Sequence, residues 1–350
     1  MTRPVTLSDV AREAGVSLAT ASRALNGSAT RTVGPELARR VHAAAERLRY
    51  APDGVAQAMA RGRTNAIGLV VRDVADPLFG AVTAGVTGAA DDAGLSVTLA
   101  STREVPGREA TVIDALARQR VRAMVLVGGP TGNGEADLAA MRSLESYLDG
   151  GGSAALIGAS MPGTSGVDVA DHRSASRLAR ELYERGYRRF VVLAAPDVPG
   201  HGADRLAGFQ STLRMLGAEP PLVHRLPRVT REAGQRAMAE LIASGVLTDR
   251  GAGVPLVFAI ADQAAFGAMV ALRDAGLRVP EDVALAGFDD SPGAAEVTPS
   301  LTTVRLPLVE AGREAVELAL AREVGRTVVL DGELIVRDST PGLDVGPDGA

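Results

Sequence analysis

The chain has 350 residues, enough for two or three domains, each with its own core. It contains no Cys, which excludes disulfides, thiolate nucleophiles and Cys-based metal centres, and no Lys, which excludes a P-loop lysine and a Schiff-base lysine together. Its net charge of −5 conceals an asymmetry: residues 1–63 carry ten Arg against five Asp and Glu, a net of +5, so the remainder carries −10 and only the head suits a polyanion.

In the head, Thr6 followed by Asp9 reads as a capping-box start, and Leu7, Val10, Ala11 and Ala14 recur at helical spacing. Gly15 suits a tight turn, and Ser17 caps a second helix running through Thr20 and Arg23 to about Leu25. Two short helices joined this way are either a helix-turn-helix or a hairpin that merely packs. A third helix is predicted from about Pro35 to Arg49, with Leu37, Val41, Ala44, Ala45 and Leu48 as its apolar stripe. Arg39, Arg40, Arg47 and Arg49 fall largely off that stripe, where they either meet phosphates or form a solvated face.

From Ala66 onward short apolar runs alternate with helical segments. Strands are predicted at Ala66–Val71, Ser96–Ala100, Ala123–Val127 and Ala154–Gly158, then near 189–194, 222–226, 256–260 and 283–287. Helices are predicted between them, near 78–93, 107–119, 135–149, 173–185, 203–216, 231–244 and 264–275. The two sets read as two doubly wound lobes, though the periodicity by itself supports an α/β class and no more. No apolar run approaches the roughly 18 residues of a membrane span, and the first residues lack the apolar core of a signal peptide, so a soluble cytoplasmic protein is expected.

No catalytic residue is assigned: Gly128 to Gly134 lacks dinucleotide-fingerprint spacing, and no Ser or His stands in a nucleophile setting. The four His (His42, His172, His201, His224) are too scattered for a metal pair, so neither metal nor cofactor is expected. Neither rival reading is therefore expected: an enzyme on this scaffold would need a site that no motif supplies, and an extracellular sugar-binding protein would need a signal peptide and would not carry a basic helix-turn-helix. The Gly/Pro-rich residues 341–350 read as a flexible tail without the heptads of a tetramerising coiled coil.

The stretch from Val5 to Gly27, continuing in register through Glu46 to Asp53 with Tyr50 and Pro52, resembles the head of the lactose/galactose repressor family, LacI/GalR, and the likeness extends through nearly the whole chain. The resemblance implies that the second helix enters the major groove of double-stranded operator DNA, with Leu18, Ala19 and Arg23 toward base edges, Thr6, Ser17, Ser22 and Asn26 toward the backbone, and Thr20 within the contact surface. Asp53 to Arg61 resembles the hinge, with Met59 either wedged between base steps or packed in a linker. The implied fold class is an all-α helix-turn-helix head on a periplasmic-binding-protein-like body. Its implied boundaries are a head at 1–52, a hinge at 53–63 and a body at 64–340. Within that body the first lobe takes about 64–160 plus 306–325, and the second about 170–289 plus 327–338.

The resemblance places effector contacts at Phe79, Ser101, Arg205, Asp262 and Asp289, at strand ends where α/β sheets bind ligands; Arg205 is either such a contact or a structural cap or pair, and Asp289 with Asp290 either a contact or the holder of a turn. Two cleft positions depart from the family pattern: Ala261 stands where an Asn is usual and Gly158 where an Asp is common. The effector is then less polar than a hexose, bound otherwise, or absent. The implied function is a homodimeric, pseudo-palindrome-binding regulator, most simply a repressor. Its partners are DNA and a carbohydrate-like small molecule, with no membrane, and induction and corepression both remain open.

Overall fold

The computed structural model describes residues 5–26, 33–50, 62–74, 77–103, 105–129, 131–158, 161–195, 201–247 and 253–343. They fall into two compact units, Met1–Thr64 and Asn65–Ala350. The hinge segment with Met59, and the tail beyond Leu343, lie outside the described residues.

The first unit holds α1 (Leu7–Glu13), α2 (Leu18–Asn26) and α3 (Pro35–Arg47). The backbone N–H of Thr6 donates to Asp9 Oδ2 at 3.0 Å, satisfying an amide that the start of α1 would otherwise leave open. Gly15, at φ +62°, ends α1, and the Val16 N–H returns to the Ala11 carbonyl at 3.0 Å. The Ser17 hydroxyl then accepts the Thr20 amide at 3.1 Å and starts α2. Val10, Ala11, Ala14, Ala21, Val41, Ala44 and Ala45 form the small core. Of the α3 arginines left open by the sequence, Arg40 donates to the Ala14 carbonyl at 2.6 Å and so ties α3 to the end of α1. Arg39 pairs with Glu36, and Arg47 with Glu13 at 3.3 Å.

The second unit contains two parallel sheets. The first comprises β1 (Ala66–Val71), β2 (Ser96–Ser101), β3 (Ala123–Val127), β4 (Ala154–Ile157), β5 (Ser165–Asp168) and β11 (Thr327–Val329), in the order β11-β5-β4-β3-β1-β2. The second comprises β6 (Arg189–Ala194), β7 (Leu222–Arg225), β8 (Pro255–Ala259) and β9 (Ala284–Ala286), in the order β7-β6-β8-β9. Helices cover both faces, which is why central strands such as β3 and β8 read as unbroken apolar runs. On the first sheet α4 (Pro77–Asp92) packs with α11 (Leu308–Ala321), and α5 (Arg108–Arg118) with α6 (Gly134–Asp149). On the second, α7 (Asp171–Glu184) packs with α8 (His201–Met215), and α9 (Arg231–Ala243) with α10 (Asp262–Asp274). At the first of these crossings a Cβ on Gly85 would overlap the Val309 carbonyl and one on Gly312 the Val82 carbonyl, so the two helices approach backbone to backbone.

An antiparallel pair, β10 (Thr303–Arg305) and β12 (Glu333–Ile335), completes the unit. The assignment of residues 327–338 to the second lobe is corrected in part, because β11 extends the first sheet beside β5. The edge amide of Gly166 and the carbonyl of Asp168 are taken up by Arg326 and Leu330, which fixes that register. Among the described residues no helix is long and apolar enough to cross a membrane.

Candidate functional site: a helix edge and a strand-end cleft

Ala21 is buried against α1 and α3, so α2 turns its opposite edge outward. Ser17, Leu18 and Ala19 are exposed there, and Leu18 keeps 52% of its surface in water, a costly position for Leu unless something covers it. Thr20, Ser22 and Arg23 follow, half-buried, and Asn26 ends the helix. Several hydroxyls of the head, at the starts of α1 and α2, already do local work. Thr6 Oγ1 donates to Asp9 Oδ2 at 2.7 Å, and Ser17 Oγ shares a hydrogen bond with Thr20 Oγ1 at 2.8 Å. Of the three residues expected at base edges, Arg23 alone carries hydrogen-bond donors on its side chain.

In the second unit a cleft of about 420 Å³ opens at the carboxyl ends of β1, β3, β4, β6 and β8. Phe79, Arg205 and Asp289 are among the residues that line it. Arg205 is buried on α8: its Nε donates to Asp171 Oδ1 at 2.7 Å, and its Nη1 reaches Asp289 Oδ1 and the Ile260 carbonyl, each at 2.8 Å. Its guanidinium also lies 4.2 Å above the Phe288 ring. Burial alone would lower the Arg205 pKa, but the carboxylates of Asp171 and Asp289 outweigh it and hold the pKa above the ordinary value. Burial likewise pushes Asp171 up, while Arg205 and the His201 hydrogen bond outweigh that push and keep Asp171 below its ordinary value. Asp289 adopts a φ of +113°, a conformation unusual for any residue with a Cβ, and its amide donates to the Val304 carbonyl at 2.8 Å.

Two expected contacts stand behind the cleft rather than on its wall. Ser101 donates to the Arg72 carbonyl at 2.9 Å, so it fixes the backbone of a lining residue. Asp262 is fully buried, accepting the Ser291 amide at 2.6 Å and the Thr303 hydroxyl at 2.7 Å. Desolvation, reinforced by Asp290, pushes its pKa up to about 7. Because that value lies above the unfolded one, the native state holds the extra proton between about pH 4 and 7, and this contribution to stability falls as pH rises through that window. Asp262→Asn keeps the shape of the protonated acid and is expected to flatten this dependence by ~1–3 kcal/mol. Urea denaturation at pH 5 and pH 8 measures it, and an unchanged slope in the variant refutes the assignment.

His201, Asp171 and Arg72 were not foreseen. His201 opens α8 one turn before Arg205, and its Nδ1 meets Asp171 Oδ2, so the two basic residues share one buried carboxylate. The i, i+4 spacing of His201 and Arg205 is the signal that would have marked the pair. The space that a side chain at Gly158 would fill is taken by the His201 imidazole, and Ala261 leaves the start of α10 bare within the wall.

A helix-turn-helix head joined in one chain to a two-lobed, periplasmic-binding-protein-like body with a strand-end cleft defines a DNA-binding transcription regulator. Comparisons with known proteins agree. Residues 6–53 match the model of bacterial regulatory proteins of the lacI family, and residues 179–340 match a periplasmic binding protein-like domain. The chain is 36% identical over 350 residues to the HTH-type transcriptional regulator GalR of Escherichia coli K12, covering 97% of each. It is 32% identical to CelR of Thermobifida fusca, covering 96% of this chain and 98% of that one. Among solved structures it resembles a CelR–cellobiose complex (TM-score 0.69, 30% identity, 96% and 100% covered) and a lac repressor dimer bound to operator and the anti-inducer ONPF (TM-score 0.82, 25% identity, 97% and 100% covered). The chain belongs to the LacI family, and it is a transcriptional regulator rather than an enzyme.

Proposed function

We propose that the chain is a cytoplasmic repressor that binds a pseudo-palindromic operator as a homodimer and responds to a sugar-like effector in the cleft. The observation that carries the reading is the outward edge of α2, where Ser17, Leu18 and Ala19 stand exposed while the opposite side is locked into the head core. The relatives support it: one solved complex holds cellobiose, and another joins a dimer to operator DNA. Domain boundaries at residues 52 and 63 belong to this proposal, with DNA contacts at Thr6, Ser17, Leu18, Ala19, Thr20, Ser22, Arg23, Asn26 and Met59. So do effector contacts at Phe79, Arg205 and Asp289, with Ser101 and Asp262 acting from behind. An effector that prefers one lobe arrangement shifts operator affinity by a coupling energy, typically ~1–3 kcal/mol.

Electrophoretic mobility shift on duplex upstream of the chain's own gene, with and without sugars, tests the reading. Site preference over scrambled duplex is expected, and its absence under both conditions refutes it. Arg23→Ala is expected to cost ~1–3 kcal/mol of operator affinity and to relax base preference at one position. A loss equal across all sequences would make Arg23 a phosphate contact instead.

A further inference from the structure

The ends of β3 and β4 lie side by side, with Val127 opposite Ile157 and the Gly128 amide donating to the Ile157 carbonyl at 2.9 Å. Each strand is followed by a glycine at positive φ, +110° at Gly128 and +81° at Gly158. A Cβ at Gly128 would press on the Arg72 guanidinium, and one at Gly158 would overlap the His201 imidazole. Two neighbouring strand ends, roughly 5 Å apart in such a sheet, are thus kept bare and roofed by basic side chains. One roof comes from the first lobe and the other from α8 of the second.

Both roofing groups are aimed. Arg72 donates through Nη2 to the Gly129 carbonyl, while its own carbonyl is held by Ser101. His201 is oriented by Asp171 on Nδ1, and its side chain remains 35% exposed. Among the described residues the cleft wall carries three arginines (Arg72, Arg205, Arg228) and His201 against one carboxylate, Asp289, which is engaged by Arg205. Guanidinium groups only donate; Thr230, Gln263 and Ser291 on the same wall both donate and accept, and Arg205 is spent on Asp171, Asp289 and the Ile260 carbonyl, so the balance leans to donors through Arg72, Arg228 and His201. Sugar hydroxyls need both, whereas a carboxylate or phosphate ester only accepts.

We propose that the effector is a sugar derivative bearing an anionic group, a carboxylate or phosphate ester, and that Arg72 and His201 receive that group over Gly128 and Gly158. This rests on the cleft being the effector site. It also gives the missing polar residue at Gly158 a reason, since a carboxylate there would occupy the place of the imidazole and repel the ligand.

The test uses the full chain in isothermal titration against glucose and galactose, their 6-phosphates and their uronic acids. At least one anionic member is expected to bind about tenfold or more tightly than its neutral parent, and the phosphate and uronate arms identify which anion it is. His201→Gln is expected to remove most of that preference while the variant still binds operator without ligand, which shows that it is folded. Arg72→Asn is the second variant, with the same expectation. Neutral sugars that bind as tightly as their anionic derivatives, or variants that weaken both kinds equally, overturn the proposal. A neutral sugar that releases operator does so while leaving the effector reading intact. If neutral and anionic sugars alike change neither heat nor operator affinity, both readings fall.

Discussion

Replacing Arg205 with Ala is expected to destabilise the second unit by about 3–5 kcal/mol at pH 7. The guanidinium stands between Asp171 and Asp289, all three buried, so its removal strands two carboxylates in a region of low polarity. The Ile260 carbonyl loses its donor and the Phe288 ring its cation at the same time. A pH signature separates this cause from simple loss of packing. In the native protein Asp171 titrates below its ordinary value, so its contribution is present above about pH 4 and disappears as pH falls through the native pKa. Without the arginine, the burial that pushes Asp171 up loses its main opponent, so the deficit is expected to shrink as pH falls from 7 toward 5. Denaturant unfolding across that range measures it. A deficit below about 1 kcal/mol, or one independent of pH, contradicts the account.

Phe258→Ala is expected to cost about 3–5 kcal/mol. The chain is poor in aromatics, with six Phe and no Trp, yet four of the six make one continuous packing chain in the second lobe. Phe258 stacks on Phe209 at 4.5 Å between centroids and lies 6.4 Å from Phe288, while Phe209 meets Phe190 edge-on at 5.8 Å. Phe258 is inaccessible to solvent and sits on β8, two residues before the Ile260 carbonyl that Arg205 grips. A cavity here therefore loosens the cleft as well as the core. Phe258→Leu, closer in volume, is expected to recover much of the loss. Thermal unfolding of both variants decides it, and equal stability of Ala and Leu would show that the site collapses around any gap.

How far the sequence reached depended on element length and on contact range. β1, β3, α8 and α10 announce themselves through long apolar or periodic runs. β5 and β11 span four and three residues, too short for any period to show, so neither strand is legible in the sequence and only the resemblance speaks to residues 327–329. Phe79, Arg205 and Asp289 could be placed in the cleft because strand ends converge there whatever the loops do. Asp262 could not be placed correctly from sequence, since its partners Ser291 and Thr303 lie 29 and 41 residues away. The place of the His201 imidazole depends on a glycine in the other lobe, a relation that no local pattern contains.

The final described stretch of the chain gives β11 to the first sheet and, four residues later, β12 to β10. Beyond these, the Ser339 hydroxyl donates to the Leu285 carbonyl at 2.6 Å and the Tyr187 hydroxyl to the Pro341 carbonyl at 2.8 Å. A premature stop just past Arg326 would thus remove stitches from both lobes with a single cut. Nonsense alleles between Arg326 and Glu333 should behave as whole-body folding lesions, cleared by proteases, rather than as harmless trimming.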